Sequence, residues 1–266
     1  MKKKKAEILL IALILNFAIF GCYESFRKNG VIADRDAEIA ELKIYKNIID
    51  SINGFKKQNE INKFNFVKER FIEFNHEVND STVLRFIEIS EHFKLDSTNE
   101  MFNLFVHEII LESGAQQYYQ STHPKEGQLV TSYAGAIGIG QIMPNTAFSF
   151  LKRIVDSTEM YNLECENFNW ITKDNGMYSP NNPETREKII EWLSNENNNI
   201  ALWGVIMRYS LNKNNNNVYH ALISYNAGGV GLRSFLNSGR DPNTHSYIKG
   251  ILQKENIVDA LIDDNA

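Results

Sequence analysis

The sequence predicts a mainly α protein, on three observations. Apolar side chains recur at three- and four-residue spacing over most of its length, polar capping residues precede several of those runs, and no strand-like run exceeds a few residues. With 266 residues, 43% of them hydrophobic and 23% charged, the chain can build one large core or two modest ones. That composition excludes a disordered polymer, a collagen-like fibre and a multi-span membrane protein. Two Cys exclude a disulfide-dense scaffold or a Cys-rich zinc module. A net charge of −5 leaves no basic footprint, so nucleic acid is not an expected partner.

Taken in order, Lys2 to Lys5 form a positive cluster, and Ile8 to Phe20 is an almost unbroken apolar run ending at Gly21-Cys22. Positive charge, then an apolar run, then a small residue is the pattern of an export signal. The run is shorter than the roughly 20 residues of a membrane span, although an uncleaved anchor helix is the competing reading. Residues 1–21 are therefore expected to be a signal peptide. The stretch Ile19-Phe20-Gly21-Cys22 resembles the bacterial lipoprotein signal. That resemblance implies lipid attachment at Cys22 and a membrane-anchored protein of the bacterial envelope, on the periplasmic or outer-membrane side. Cys165 is given no role.

Residues 22–95 read as a tether and helical support region. The spacing of Ile39, Leu42, Ile44, Ile49 and Ile52 predicts a helix from Asp36, stopped at Gly54, and Phe64, Phe66, Phe71 and Phe74 mark a second. Asp80-Ser81-Thr82 is a cap signal for a third, reaching Phe93. Asp96-Ser97-Thr98 caps the next, from Met101 to Ser113, which Gly114 ends. A short helix is expected from Pro144, and one or two between Thr185 and Leu211. Ile200 to Met207 is apolar nearly all round and must be buried, Trp203 with it. A helix from His220 to Tyr225 is broken by Asn226-Ala227-Gly228-Gly229. Residues 254–266 are left as a C-terminal tail.

Chemistry concentrates in three clusters. At about 100° per residue, Phe102, Phe105, Ile109 and Glu112 share one arc of their helix, with Asn103 and His107 opposite. Glu112 thus ends an apolar stripe at a helix C-terminus, and both the lost hydration and the helix dipole raise the pKa of a carboxyl there. A raised carboxyl pKa suits a general acid near neutral pH. The second cluster, Ser132 to Ala147, holds Gly135, Gly138 and Gly140 just before Gln141, then Pro144. Its glycines permit close backbone approach, and the amide of Gln141 suits sugar hydroxyls and N-acetyl groups. No Lys follows them, so a phosphate cradle is excluded. The third cluster is Tyr225-Asn226-Ala227-Gly228. His107-Glu108 opens a zinc-protease pattern that fails because Leu111, not His, stands four residues on. No metal site is expected.

In order and spacing the three clusters resemble the lytic transglycosylases of the soluble-lytic, lysozyme-like family. Glu112-Ser113 is similar to the family's Glu-Ser, Ser132 to Ala147 to its Gly-rich motif, and Ser224-Tyr225-Asn226-Ala227-Gly228 to its Ala-Tyr-Asn-Ala-Gly. Asn199-Ile200 and Gly204 match the intervening helix, and Tyr247 stands where the family often has a Tyr-Val pair. The likeness covers about residues 96–253 and implies a lysozyme-like catalytic domain there, α+β with very little strand.

The resemblance implies a lyase: cleavage, without water, of the β-1,4 bond between N-acetylmuramic acid and N-acetylglucosamine in peptidoglycan. Glu112 is then the catalytic acid and later base, and Tyr225 its hydrogen-bonding orienter. Ser113, Ser132, Gln141, Asn226 and Tyr247 would hold substrate or the cleft walls, with no cofactor. Two departures stand out. The interval from Glu112 to Ser132 is long, carrying Tyr118, Tyr119 and His123, and Gly140 replaces a side chain that in the family lines the sugar site. A hydrolytic muramidase, the competing enzyme, needs a second carboxyl across the bond. Glu108 rises from the same helix and reads as structural, which leaves Glu126. The third reading is a catalytically silent wall-binding assembly protein.

Overall fold

The computed structural model describes residues 33–120, 123–156 and 182–263, with side chains described for 43–120, 123–154 and 182–254. The expected signal peptide, the lipid site at Cys22, Cys165, and Trp170, the tryptophan whose sequence context best suits stacking on a sugar, lie outside the described residues. Among the described residues there are eight α-helices: α1 (Ala33–Phe74), α2 (Asp80–His92), α3 (Asn99–Ser113), α4 (Pro144–Asp156), α5 (Pro183–Ser194), α6 (Glu196–Lys213), α7 (Val218–Asn237) and α8 (Ser246–Asp263), with a 3₁₀ turn at Pro242–Thr244. The protein is mainly helical, as the periodicity predicts. The sheet content of the described residues is three isolated antiparallel bridges, Tyr118 with Leu129, Thr131 with Ile137 and Ile137 with Ile142. No helix among the described residues is long and apolar enough to cross a membrane.

The chain divides into two compact units between Lys63 and Phe64, inside α1. In the first, α1 carries exposed apolar side chains at Ile44, Tyr45, Ile49, Ile52 and Phe55. Gly54 does not stop the helix, because nothing crowds or redirects the backbone there and one Gly costs only about 1 kcal/mol in a helix interior. The two expected helices are one.

The second unit begins earlier than the sequence suggests. Val67 and Phe71 of α1, and Val83, Phe86 and Ile89 of α2, share one core with Phe105, Ile109 and Trp203. Residues 64–95 are thus part of the main unit rather than a separate support. Their Phe and Ile residues at helical spacing carry no mark saying which surface they bury against, so the sequence places the boundary at 95/96 and leaves the one at 63/64 invisible. Phe86 packs on Trp203 with ring centroids 5.2 Å apart and meets Phe71 edge-on at 5.4 Å.

Caps fall close to where the polar triplets place them. Asn79 rather than Asp80 caps α2, its side chain accepting from Thr82 N, and Thr98 caps α3, accepting from Met101 N at 3.1 Å. Thr98→Ala is expected to cost about 1 kcal/mol, read as a shift in denaturant midpoint at unchanged slope. Gly114 ends α3 in the left-handed conformation. Thr185 to Leu211 resolves into α5 and α6, separated at Asn195, which caps α6. The break in α7 is at Gly228, with φ 68° and ψ 168°. Residues 254–263 continue α8 rather than forming a tail.

Candidate active site

The helix that carries Glu112 is not amphipathic. Met101, Phe102 and every residue from Leu104 to Ile110 are buried, His107 and Glu108 included, so α3 runs through the middle of the unit. His107, expected on the outer side, is 1% exposed and its Nδ1 lies 2.9 Å from Asn103 O. Glu112 is half-buried near the C-terminal end of that helix. Its pKa is raised from the usual carboxylate range, chiefly by burial, with the hydrogen bond from Tyr247 acting the other way. The direction is the one expected, but its cause is burial in the middle of the unit rather than a stripe on one face.

The group that holds Glu112 is Tyr247 of α8, whose hydroxyl lies 2.5 Å from Glu112 Oε1. This corrects the role expected for Tyr225, whose hydroxyl donates instead to Gly140 O. Tyr225 still faces the acidic pair: both Glu108 and Glu112, after burial, push its phenol well above the usual tyrosine range. Tyr247 reaches Glu112 because α8 lies close against α3. A β-carbon at Gly250, one turn further on, would sit 3.1 Å from Leu111 Cδ2. Only a residue without a side chain tolerates that approach unchanged.

Between α3 and α7 runs the Gly-rich turn. Ile142 N donates to Ile137 O at 3.0 Å, and Gln141 N donates to Gly138 O at 3.0 Å. The turn is pinned from beneath by two amides. Gln117 Oε1 accepts from Ile139 N at 2.9 Å while its Nε2 donates to Leu193 O at 2.9 Å. Asn199 Oδ1 accepts from Gly140 N at 2.9 Å while its Nδ2 donates to Ile137 O at 3.0 Å. Gly138 has φ 70°, and a β-carbon there would lie 2.5 Å from Asn199 Nδ2 and 2.7 Å from Gln117 Nε2. The glycine is required by both its dihedral and the amides packed on it.

Several expected substrate-holding side chains are committed internally. Ser113 Oγ donates to Ile139 O at 2.7 Å, tying α3 to the turn. Ser132 Oγ accepts from Ala136 N at 2.9 Å. Gln141 is 9% exposed and its Nε2 donates to Gly138 O at 2.8 Å, so its amide braces the turn it belongs to. Asn226 is exposed, at the end of the first part of α7. Gly140 corrects a second expectation. A β-carbon there would point at Asn199 Oδ1 (3.0 Å) and Trp203 Cβ (3.1 Å), into packing rather than toward a sugar.

Trp203 is fully buried as expected, and its Nε1 donates to Glu108 Oε2 at 2.8 Å. Glu108, fully buried, also lies 3.2 Å from Tyr247 Oη through Oε1. Glu126 opens onto a cleft of about 320 Å³, lined also by Asn75, Thr82, Gln117, Tyr119 and Glu196 and not by Glu112. Among the described residues no cluster of His, Cys, Asp and Glu could hold a metal ion.

Sequence reading missed Gln117 and Asn199 as the pins of the turn. Gln117 lies in the long interval after Glu112, and Asn199 matches the family's intervening helix with no partner assigned to its amide. The pairing of Tyr247 with Glu112 had only the positional likeness to point to it. Comparisons with protein-family models, with curated proteins and with solved structures return no match.

Proposed function

We propose that the chain is a lytic transglycosylase with a lysozyme-like catalytic fold, lipid-anchored in the bacterial cell envelope and acting on peptidoglycan glycan strands. The observation that carries this reading is Glu112: a carboxyl with raised proton affinity, partly open, oriented by a phenol, beside a Gly-rich turn braced by the amides of Gln117 and Asn199. In the reaction, Glu112 gives its proton to the bridging oxygen as the bond from C1 to that oxygen breaks. The muramic acid C6 oxygen then bonds to C1, and its hydrogen passes to the Glu112 carboxylate. The products are a 1,6-anhydromuramoyl end and a free sugar hydroxyl, with Glu112 protonated as at the start.

One carboxyl suffices because the substrate supplies the nucleophile. A hydrolytic route needs a second carboxyl facing the bond, roughly 5–10 Å from the first. Glu108 is fully buried on the helix that carries Glu112, and the cleft that Glu126 lines does not include Glu112, so neither supports the muramidase reading. Mass spectrometry of fragments released from purified walls tests the reading. The expected products are lighter by one water than the reducing-end muropeptides that a hydrolase leaves. Reducing ends alone would replace this reading with the muramidase, and no fragments at all with the silent wall-binding protein.

A further inference from the structure

Two carboxyls meet a single phenol beside α3. Tyr247 Oη lies 2.5 Å from Glu112 Oε1 and 3.2 Å from Glu108 Oε1. A phenol has one hydrogen, so it donates to only one of these oxygens. The shorter contact takes that hydrogen. The longer one is then a pair of oxygens with nothing between them, unless Glu108 carries a proton of its own.

The surroundings of Glu108 favour that proton. The carboxyl has no solvent exposure, and Oε2 is already used as acceptor for Trp203 Nε1. Among the described residues, the groups that face it are Glu112 on its own helix, Trp203 from α6 and Tyr247 from α8, with Tyr225 from α7 against the acidic pair, and none of these is a cation. Burial without a cation favours the neutral form of a carboxyl, so Glu108 holds the proton at rest. The neighbouring Glu112 adds to burial in raising its proton affinity well above the usual range.

We propose that Glu108 is a proton-holding residue for Glu112, linked to it through Tyr247: Glu108 donates to Tyr247 Oη, and Tyr247 donates to Glu112 Oε1. The two carboxyls then share one proton over a three-group relay. To load Glu112, the Glu108 O–H bond breaks as Tyr247 Oη accepts that proton, and the original Tyr247 O–H bond breaks as Glu112 accepts its hydrogen. Tyr247 is neutral before and after, and the pair keeps one negative charge. Glu108 touches no substrate; it is a positioning residue. Its catalytic consequence rests on the transglycosylase reading, whereas the relay itself rests on the three side chains.

The test uses the chain labelled with ¹³C at the glutamate carboxyls, titrated as wild type, Glu108→Gln and Glu112→Gln. The Glu108 carbon is expected to keep the neutral-acid signal to higher pH than Glu112 or the exposed glutamates, and Glu112→Gln to lower its midpoint. Glu108→Gln keeps both hydrogen bonds, since its amide donates to Tyr247 and accepts from Trp203, but it cannot share a proton. In that variant the alkaline limb of kcat/KM for strand cleavage is expected to move to lower pH by about one unit, a tenfold change in proton affinity. A Glu108 carbon that titrates with the exposed glutamates overturns the relay, as does an unmoved limb in Glu108→Gln. Should the wild type release no fragments, the transglycosylase reading fails while the carbon titration still decides the relay. Fragments released by a chain whose Glu108 titrates normally would leave the function standing and the relay refuted.

Discussion

Glu112→Gln is expected to lower the rate of glycan strand cleavage by roughly 10²–10⁴-fold, the usual size of a general acid–base contribution. The substitution preserves shape, and Tyr247 can still donate to the amide oxygen, so the site stays assembled. What disappears is the transferable proton. Folding should not suffer: Glu112 is ionisable in a place where burial disfavours its charge, and the amide removes that cost. The melting temperature at neutral pH is therefore expected to stay level or rise while fragment release collapses. A Glu112→Gln variant that cleaves at the wild-type rate would remove Glu112 from the reaction. Released muropeptides and a thermal melt on the same preparation read both halves.

Gly138→Ala is expected to be the most destabilising small substitution in the Gly-rich turn, at roughly 3 kcal/mol. A residue with a β-carbon at φ 70° costs about 1–2 kcal/mol from its own backbone. The new methyl would also displace the amides of Gln117 and Asn199, and a buried polar group left unpaired costs about 1–3 kcal/mol. For a unit of this size the loss corresponds to roughly 10 °C in Tm. Gly127→Ala separates the two contributions. That residue has nearly the same φ, 71°, but nothing lies within 4 Å of the position of its β-carbon, so only the backbone cost of about 1–2 kcal/mol is expected. Equal losses at the two positions would mean that the amides do not brace the turn.

The protonation of the acidic pair also sets a pH dependence of stability. Both carboxyls bind a proton more tightly in the folded protein than when exposed in the unfolded chain. Their favourable contribution is complete below the unfolded carboxylate range and is lost as pH rises through the raised folded values. Stability is expected to fall with rising pH across that window, and Glu108→Gln to flatten the slope, as read by denaturant midpoints at stepped pH.

Much of the helical plan was legible because helices announce their ends. Thr98 and Gly114 bracket α3 through local hydrogen bonds and a left-handed residue, and both signals sit in the sequence beside the element they end. Trp203 was legible as core because its neighbours are apolar all round. Long-range partnership was not. Whether Tyr225 or Tyr247 reaches Glu112 depends on how closely α8 approaches α3, which is set by Gly250 against Leu111, a contact with no local signature. Gly140 misled for the same reason, since residue type alone does not say which side of a turn a β-carbon would face. Gly54 misled in the opposite way: a lone glycine weakens a helix slightly, and α1 had enough other residues to continue through it.

The wide separation along the chain between Glu112 and Tyr247, 135 residues, has a temporal meaning. A growing polypeptide makes its acid long before it makes the phenol that seats it. Until the segment beyond Tyr247 has been synthesised and has folded back along α3, Glu112 has no oriented hydrogen bond and faces water as an ordinary anion. If Glu112 is the proposed acid, a nascent or half-folded chain would lack cutting power, and competence would arrive only with the late docking of α8.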